Sequence, residues 1–438
     1  MVISTITLFP ELYKPFLETS LIGRAQEQQQ ITLDVKTLFD FCKPKERVDS
    51  PTFGHGAGML LRPDIVEKAI DAQEALHGPA YKIFFSPQGK KLDQVLLRDL
   101  VRIAQAKKHI MLLPARYEGM DARVEEHYGD CLISLGDFVL MGGDLPAMVL
   151  MEGLLRLIPG VVGKQESIEH ESFTGPFLDY PEYTSPVVWK GYCVPEVIRS
   201  GDHGKIQKWR QERAVKNTVL SHFDWLRSHV TTDAEIQQAA EQIPHHYAIL
   251  MHAQVALLDG QEGTSSVTSI DIHDIARSSA TYGIKKYFIV TPLEDQQKIV
   301  TKLLDFWKVG EGVTYNPHRH NALENVLLVS TLDEALEKIK EYEHADPLLI
   351  GTAAKQYAHA QAITYYDQQI VWSLKRPVVL LFGTARGLGR SVIERCDFLL
   401  GPVYGFSTFN HLSVRSAAAI IFDRWLGING KKSSSIVK

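Results

Sequence analysis

Along this chain, short apolar runs alternate with segments whose apolar residues recur every three or four positions. In residues 1–160 the runs STITLFP, KIFFSP, HIMLLP and DFVLMGG predict buried strands ending in Pro or Gly turns. Between them, RPDIVEKAIDAQEAL and KLDQVLLRDLVRIAQ carry helical spacing. Strand followed by helix, repeated, predicts a parallel sheet covered on both faces, an α/β domain. Residues 161–186 are polar and rich in Gly and Pro, without an apolar period, and predict a long connecting loop, functional or mobile. Residues 187–243 predict a mainly helical domain. A fresh α/β pattern fills residues 246–428, with YAILMHAQVALL, KYFIVTP, ENVLLVS, PLLIGTA and RPVVLLFGTA as strands and LSVRSAAAIIFDRWLG as a packed closing helix. The polar tail 429–438 is predicted to be disordered.

Composition agrees with a multidomain globular chain. At 438 residues it exceeds what one core organises, and 45% apolar with 23% charged residues suits a water-soluble fold. The N-terminal run lacks the basic region and cleavage site of a signal peptide, and no apolar stretch is long enough to span a bilayer, so a cytoplasmic protein with no membrane partner is expected. Cys42, Cys131, Cys193 and Cys396 are far apart and form no C-x-x-C pair, which predicts reduced, buried thiols rather than a zinc site or a disulfide framework. A net charge of −5 gives no global attraction to nucleic acid. The local exception is Arg199–Lys216, where Arg199, Lys205, Lys208, Arg210, Arg213 and Lys216 face only Asp202 and Glu212. By itself such a run reads first as a solvated helix face, which is what most charge runs are.

Three strand ends of the first domain turn on small residues. They are Ser86-Pro87-Gln88-Gly89, Ala115-Arg116-Tyr117-Glu118-Gly119, and the stretch Leu135-Gly136-Asp137-Phe138-Val139-Leu140-Met141-Gly142-Gly143-Asp144-Leu145-Pro146. Ligands of open parallel sheets sit beyond the carboxyl ends of strands, so the three loops could line one pocket. Backbone amides there could read an adenine edge, and Glu118 offers a carboxylate to an ammonium group. Each loop taken singly is also an ordinary tight turn. The stretch Gly54-His55-Gly56-Ala57-Gly58 fits neither G-x-G-x-x-G nor a P-loop, and predicts a flexible or φ-positive loop that lets RNA or cofactor approach the backbone. With no dinucleotide fingerprint after a strand, a dehydrogenase is excluded.

The strings ARYEGMDARV, SLGDFVLMGGDLPAMVLMEGLLRLIPGVVG, ESFTGPFLDYPEYTSP and SGDHGKIQKWR, in this order within residues 1–243, closely resemble the bacterial tRNA (guanine-N1)-methyltransferase family. The resemblance implies a SPOUT fold with a trefoil knot, which periodicity does not predict. It also implies an obligate homodimer, S-adenosylmethionine as methyl donor, magnesium dependence, and the guanosine 3′ of the tRNA anticodon as target. The cofactor would be held by Ser86, Ala115, Tyr117, Glu118, Gly119, Leu135, Gly136, Asp137, Phe138, Val139, Leu140, Gly142, Gly143 and Pro146. N1 of neutral guanine bears a proton, so methylation there needs a base, and a cation to hold charge developing on O6. The resemblance assigns these roles to Glu171 and Arg156. The sequence departs from the family pattern at Glu171, usually Asp, at Ala115, usually Gly, and at His55, usually Gly. Under this resemblance Lys205, Lys208 and Arg210 become tRNA-binding candidates.

Residues 246–428 resemble a second SPOUT unit, of the class that includes ribose 2′-O-methyltransferases. DIHDIARSSATYGIKKYFIVTP resembles its first motif, with Arg277 at the catalytic position. RPVVLLFGTARGLG resembles the second motif and FNHLSVRSAAAIIF the third. The cofactor would lie against Gly383, Thr384, Leu400, Pro402, Leu412 and Ser413. Ala385 replaces the usual Glu of that class, and Ser413 and Arg415 replace Asn and Ser. The alternative for this half is an inactive module that binds RNA or joins subunits.

Overall fold

The computed structural model describes residues 1–162, 171–258, 260–354 and 361–429, and divides into two units, Met1–Thr174 and Gly175–Lys438. The expected tail thus lies outside the described residues from 430 onward, as does part of the loop 161–186.

The strands of the first unit are β1 (Val2–Thr7), β2 (Thr32–Thr37), β3 (Asp49–Pro51), β4 (Met59–Leu61), β5 (Tyr81–Lys91), β6 (His109–Leu113) and β7 (Cys131–Ser134). Five of them form one sheet in the order β2-β1-β6-β5-β7, and all neighbours are parallel. Alternation along each strand divides its side chains between two cores. Ile3, Ile83, Phe85, Ile110 and Leu112 pack with Ala25, Leu100 and Leu150, whereas Phe84, Met111 and Leu113 pack with Ile65, Ile70 and Val124. The helices Ser20–Glu27, Gln94–Lys107 and Asp144–Arg156 therefore cover one face, and Pro63–His77 and Ala122–Tyr128 the other. β3 and β4 make a separate antiparallel hairpin.

One predicted strand is absent. DFVLMGG is a loop, and the strand of this region is β7, which stops at Ser134, where the Ser134 hydroxyl bonds to the main chain of Gly136. Beyond it Phe138, Val139 and Met141 are 56%, 84% and 91% exposed, so the run is apolar without being core.

The second unit begins with the two-stranded hairpin β8 (Val188–Trp189) and β9 (Tyr192–Cys193), then the helices Glu196–Arg199, His203–Ser221, Phe223–His229 and Asp233–Ala240. Its remaining strands are β10 (His246–Met251), β11 (Val255–Ala256), β12 (Glu262–Gly263), β13 (Lys286–Val290), β14 (Val326–Val329), β15 (Leu348–Thr352), β16 (Ala362–Ile363), β17 (Val378–Gly383) and β18 (Phe398–Leu400). Seven of these form a parallel sheet in the order β14-β13-β10-β17-β15-β18-β16. It too has two cores. Ala248, Leu250, Leu380 and Phe382 face the helices Ser269–Thr281 and Val414–Leu426, and Tyr247, Ile249, Val379 and Leu381 face Leu332–Glu343. The expectation of buried thiols is corrected here. All four cysteines are free, but Cys193 is exposed in a hairpin that no sheet extends, and the other three are only partly covered. Among the described residues no helix is long and apolar enough to cross a membrane.

Candidate functional site

β6, β5 and β7 are adjacent and parallel, so their carboxyl ends, and the three loops singled out in the sequence, meet at one edge of the first sheet. β5 loops out between Phe85 and Lys90 before resuming its pairing with β7, and this excursion holds Ser86–Gly89. A Cβ on Gly89 would lie 2.5 Å from the Ile133 nitrogen, so only glycine lets the excursion close onto β7. The β6 loop and the β7 loop are laced together. Arg116 and Gly142 form an antiparallel bridge, and the Gly143 N–H donates to the Ala115 carbonyl at 2.8 Å. On the other side the β6 loop is held by β4, with Glu118 N–H donating to Met59 O and Leu61 N–H to Gly119 O, both at 3.1 Å. Of the two alternatives for the 54–58 loop, the φ-positive one is present at Gly54, His55 and Gly58.

Under this edge lies a carboxylate that sequence reasoning did not single out. Asp144, 1% exposed in the first turn of the Asp144–Arg156 helix, accepts from Thr7 Oγ1 at 2.5 Å, Tyr13 Oη at 3.0 Å and Arg116 Nε at 2.6 Å. The Arg116 guanidinium also lies 4.7 Å from the centre of the Phe9 ring. Burial and the neighbouring Asp144 push the Tyr13 phenol far above its ordinary range, so it stays a proton donor. Through these bonds Asp144 ties the end of β1, the β6 loop and a helix start to one point.

The same helix ends on Arg156. Its guanidinium meets the carboxylate of Glu171 in a two-pronged pair, Nη1 to Oε1 at 2.6 Å and Nη2 to Oε2. Glu171 is largely covered, with 12% of its side chain exposed, while Arg156 keeps 46%. The structure thus joins the two residues expected to be base and cation. Above the edge, Tyr117 with φ +59°, Glu118, Asp137, Phe138, Val139 and Leu140 are exposed, Gly119, Leu135, Gly136 and Gly142 are partly covered, and Ala115, Gly143 and Pro146 are buried. An exposed carboxylate beside exposed apolar side chains is a donor set suited to a ligand carrying both an ammonium group and an aromatic base.

In the second unit, β17 and β18 flank β15, so the ends carrying Gly383-Thr384 and Leu400-Gly401-Pro402 are close neighbours. Ser413 caps the Val414–Leu426 helix, next to exposed Leu412. Arg415 reaches from that helix to Asp271 at 3.2 Å and Asp274 at 3.6 Å. Arg277 stands exposed on the Ser269–Thr281 helix, without an ion pair among the described residues. Of the basic run, Lys205 and Lys208 project outward, with 74% and 80% of their side chains exposed, paired loosely with Asp202 and Glu212. Arg210 is different. Its guanidinium lies 4.5 Å from the Tyr180 ring centre and 3.7 Å from Glu182, so it fastens the loop 180–183 to the His203–Ser221 helix. Tyr183 and Trp209 add a second contact of the same kind, with ring centres 6.2 Å apart.

Residues 1–228 match the family model described as tRNA (Guanine-1)-methyltransferase TrmD, and residues 245–427 match SAM-dependent RNA methyltransferase. A tRNA (guanine-N(1)-)-methyltransferase of Oleidesulfovibrio alaskensis is 38% identical over 433 residues, 96% of this chain and 98% of that protein. The chain belongs to the tRNA (guanine-N1)-methyltransferase family. A second member, from Nitratidesulfovibrio vulgaris, is 37% identical with the same coverage of both chains. A member from Rhodospirillum rubrum is 44% identical over 224 residues, which is 51% of this chain and 91% of that protein. Family members thus occur both at the length of the first part and at the length of the whole, and the second part carries a methyltransferase domain of its own. The parallel α/β sheets of both units accord with SPOUT methyltransferases.

Proposed function

We propose that this enzyme methylates N1 of the guanosine 3′ of the tRNA anticodon, with Glu171 as base and Arg156 as the cation at O6. The observation that carries the reading is the Arg156–Glu171 pair. A guanidinium and a carboxylate held side by side offer a donor next to an acceptor, which complements the O6 acceptor and N1–H donor of guanine. On entry of the base, N1–H replaces Arg156 as partner of one carboxylate oxygen, and O6 takes a guanidinium N–H. The proton passes from N1 to Glu171 as the N1–CH3 bond forms, and Arg156 holds the charge that grows on O6. S-adenosylmethionine supplies the methyl group, and the Ser86, Ala115–Gly119 and Leu135–Pro146 segments would hold it, with Glu118 at its ammonium group. The extra methylene of glutamate over aspartate is compatible with this role because Glu171 already reaches Arg156 with both oxygens.

Magnesium enters the proposal as a requirement to be tested by chelation. Among the described residues no three His, Cys, Asp or Glu side chains are grouped to hold a metal ion, and we assign it no ligands. A homodimer would cover the apolar stretch Phe138–Met141, and Lys205 and Lys208 would meet tRNA phosphates in the cytoplasm. For the second domain, residues 246–428, the reading is ribose 2′-O-methylation with Arg277 at the reacting hydroxyl and Gly383, Thr384, Leu400, Pro402, Leu412 and Ser413 about the cofactor. Mass spectrometry of nucleosides from unmodified tRNA incubated with enzyme, S-adenosylmethionine and magnesium tests both activities. 1-Methylguanosine with a 2′-O-methylnucleoside is the expected result; 1-methylguanosine alone leaves the second domain as an accessory module, and its absence overturns the main reading.

A further inference from the structure

At the carboxyl edge of the second sheet, three residues far apart in sequence form a line of side-chain hydrogen bonds. His252 follows β10 and is fully buried, and its Nδ1 lies 3.1 Å from Ser265 Oγ. Ser265 Oγ lies 2.5 Å from Thr384 Oγ1, and the Thr384 hydroxyl donates to the Met251 carbonyl at 2.8 Å. The direction of every proton follows from donor counting. Thr384 has spent its only proton on Met251, so Ser265 must donate to Thr384. Ser265 has then spent its own, so His252 must donate from Nδ1–H. His252 is thereby fixed as the Nδ1–H tautomer, with a bare Nε2 that has no hydrogen-bond partner among the described residues. Burial lowers this imidazole to about 4, which keeps it neutral at pH 7.

The line ends on the turn that leaves β17. Ala385 and Gly387 have φ of +54° and +105°, and a Cβ on Gly383 would collide with the Leu388 backbone, so the turn is tight and conformationally demanding. One side of it is held by backbone bonds, from Arg386 N–H to Ala256 O at 3.2 Å and from Ala256 N–H to Gly387 O at 3.0 Å. On the strand side the Thr384 amide reaches Met251 O only at 3.4 Å, and the hydroxyl makes the shorter bond. The side-chain line therefore supplies the turn's anchor on that side.

We propose that His252 and Ser265 are positioning residues that hold Thr384, and with it the Gly383–Gly387 turn, in the conformation that binds S-adenosylmethionine in the second domain. This rests on the reading of that domain as a cofactor-binding methyltransferase. Neither residue need touch the ligand. Ser265→Ala removes one hydroxyl at a partly exposed position, and leaves the His252 donor and the Thr384 acceptor without their partner.

The test is equilibrium dialysis of labelled S-adenosylmethionine against the full-length chain. The wild type is expected to bind two equivalents per chain. Ser265→Ala weakens one class of site about tenfold, the effect of one partly buried hydrogen bond left unmade, and leaves the other class and the rate of N1 methylation unchanged. Ser265→Thr, which keeps the hydroxyl, restores the weakened class. Thr384→Ser and Thr384→Val form an independent pair, the first retaining the site and the second losing it, should Ser265→Ala fail to fold. Two unaltered classes in both Ser265→Ala and Thr384→Val overturn the positioning role while sparing the cofactor reading. A wild type that binds a single equivalent overturns the cofactor reading itself, and leaves the line without a ligand to serve.

Discussion

Acidification should unlock the second unit at His246, and the size of the effect follows from its hydrogen bonds. The buried imidazole donates from Nδ1–H to the Pro244 carbonyl at 2.6 Å, and its Nε2 accepts from Trp425 Nε1–H at 3.0 Å and Trp372 Nε1–H at 3.4 Å. An indole nitrogen only donates, so Nε2 must stay unprotonated, and a proton there would face two N–H groups inside the core. Burial, opposed in part by the Pro244 bond and aided by nearby His245, brings the group from 6.5 to about 4. Because the folded state binds its proton less readily than the unfolded state, stability is fully present above about pH 6.5 and is lost as pH falls toward 4. At about 1.36 kcal/mol per pH unit the loss amounts to about 3 kcal/mol for this residue. Urea unfolding of the full chain, followed by tryptophan fluorescence at several pH values between 7 and 4.5, measures it when wild type is compared with His246→Gln. Titration of carboxylates and of His252 is common to both proteins and cancels in the difference. The variant should be the less stable at pH 7, and the gap should close progressively below pH 6.5. A gap that stays constant with pH refutes the argument.

Further outcomes are expected at four residues. Glu171→Gln should lower the rate of N1 methylation by about 10²–10⁴-fold, the usual contribution of a general base, with S-adenosylmethionine affinity unchanged by calorimetry, and Glu171→Asp should retain most activity. Asp144→Ala should destabilise the first unit by about 3–5 kcal/mol, since it strands Arg116 in a largely covered position, and chemical denaturation measures this directly. Lys208→Ala should raise the KM for tRNA and reduce the salt dependence of binding by about one counterion, whereas Arg210→Ala should also loosen the 180–183 loop, which limited proteolysis would report.

Local pattern revealed most of the architecture, because strands buried on both faces must be apolar throughout and crossover helices must be amphipathic. KIFFSP and RPVVLLFGTA illustrate this. DFVLMGG misled for a physical reason. An apolar run signals removal from water but does not say what removes it, and here it is no part of its own unit's core. β2, with the polar sequence TLDVKT, is an edge strand and gives too weak an alternation to be noticed. Arg156 and Glu171 became legible together only through family resemblance. Nothing local distinguishes Asp144, because its partners Thr7 and Tyr13 lie more than 130 positions away. Likewise the separation of 119 positions from Ser265 to Thr384 hides their contact from any local reading.

The two sheets share a layout that explains why each needs such a hidden anchor. The order β2-β1-β6-β5-β7 in the first unit is matched by β13-β10-β17-β15-β18 in the second, with β14 and β16 added at the edges. In both, the first strand of the sheet lies beside the strand whose end makes the demanding loop, β6 in one and β17 in the other. Ladder bonds stop where parallel strands end, so the loops beyond them must be held by other polar groups or be left loose. The first unit uses a charged carboxylate that collects Thr7, Tyr13 and Arg116, and the second uses the neutral line His252, Ser265 and Thr384. A charged anchor is strong but leaves an uncompensated buried ion when either partner is lost. A neutral line costs less to break, yet each hydroxyl in it has one proton and so one permitted direction. Substitution should therefore damage the first anchor through stability and the second through the geometry of its turn.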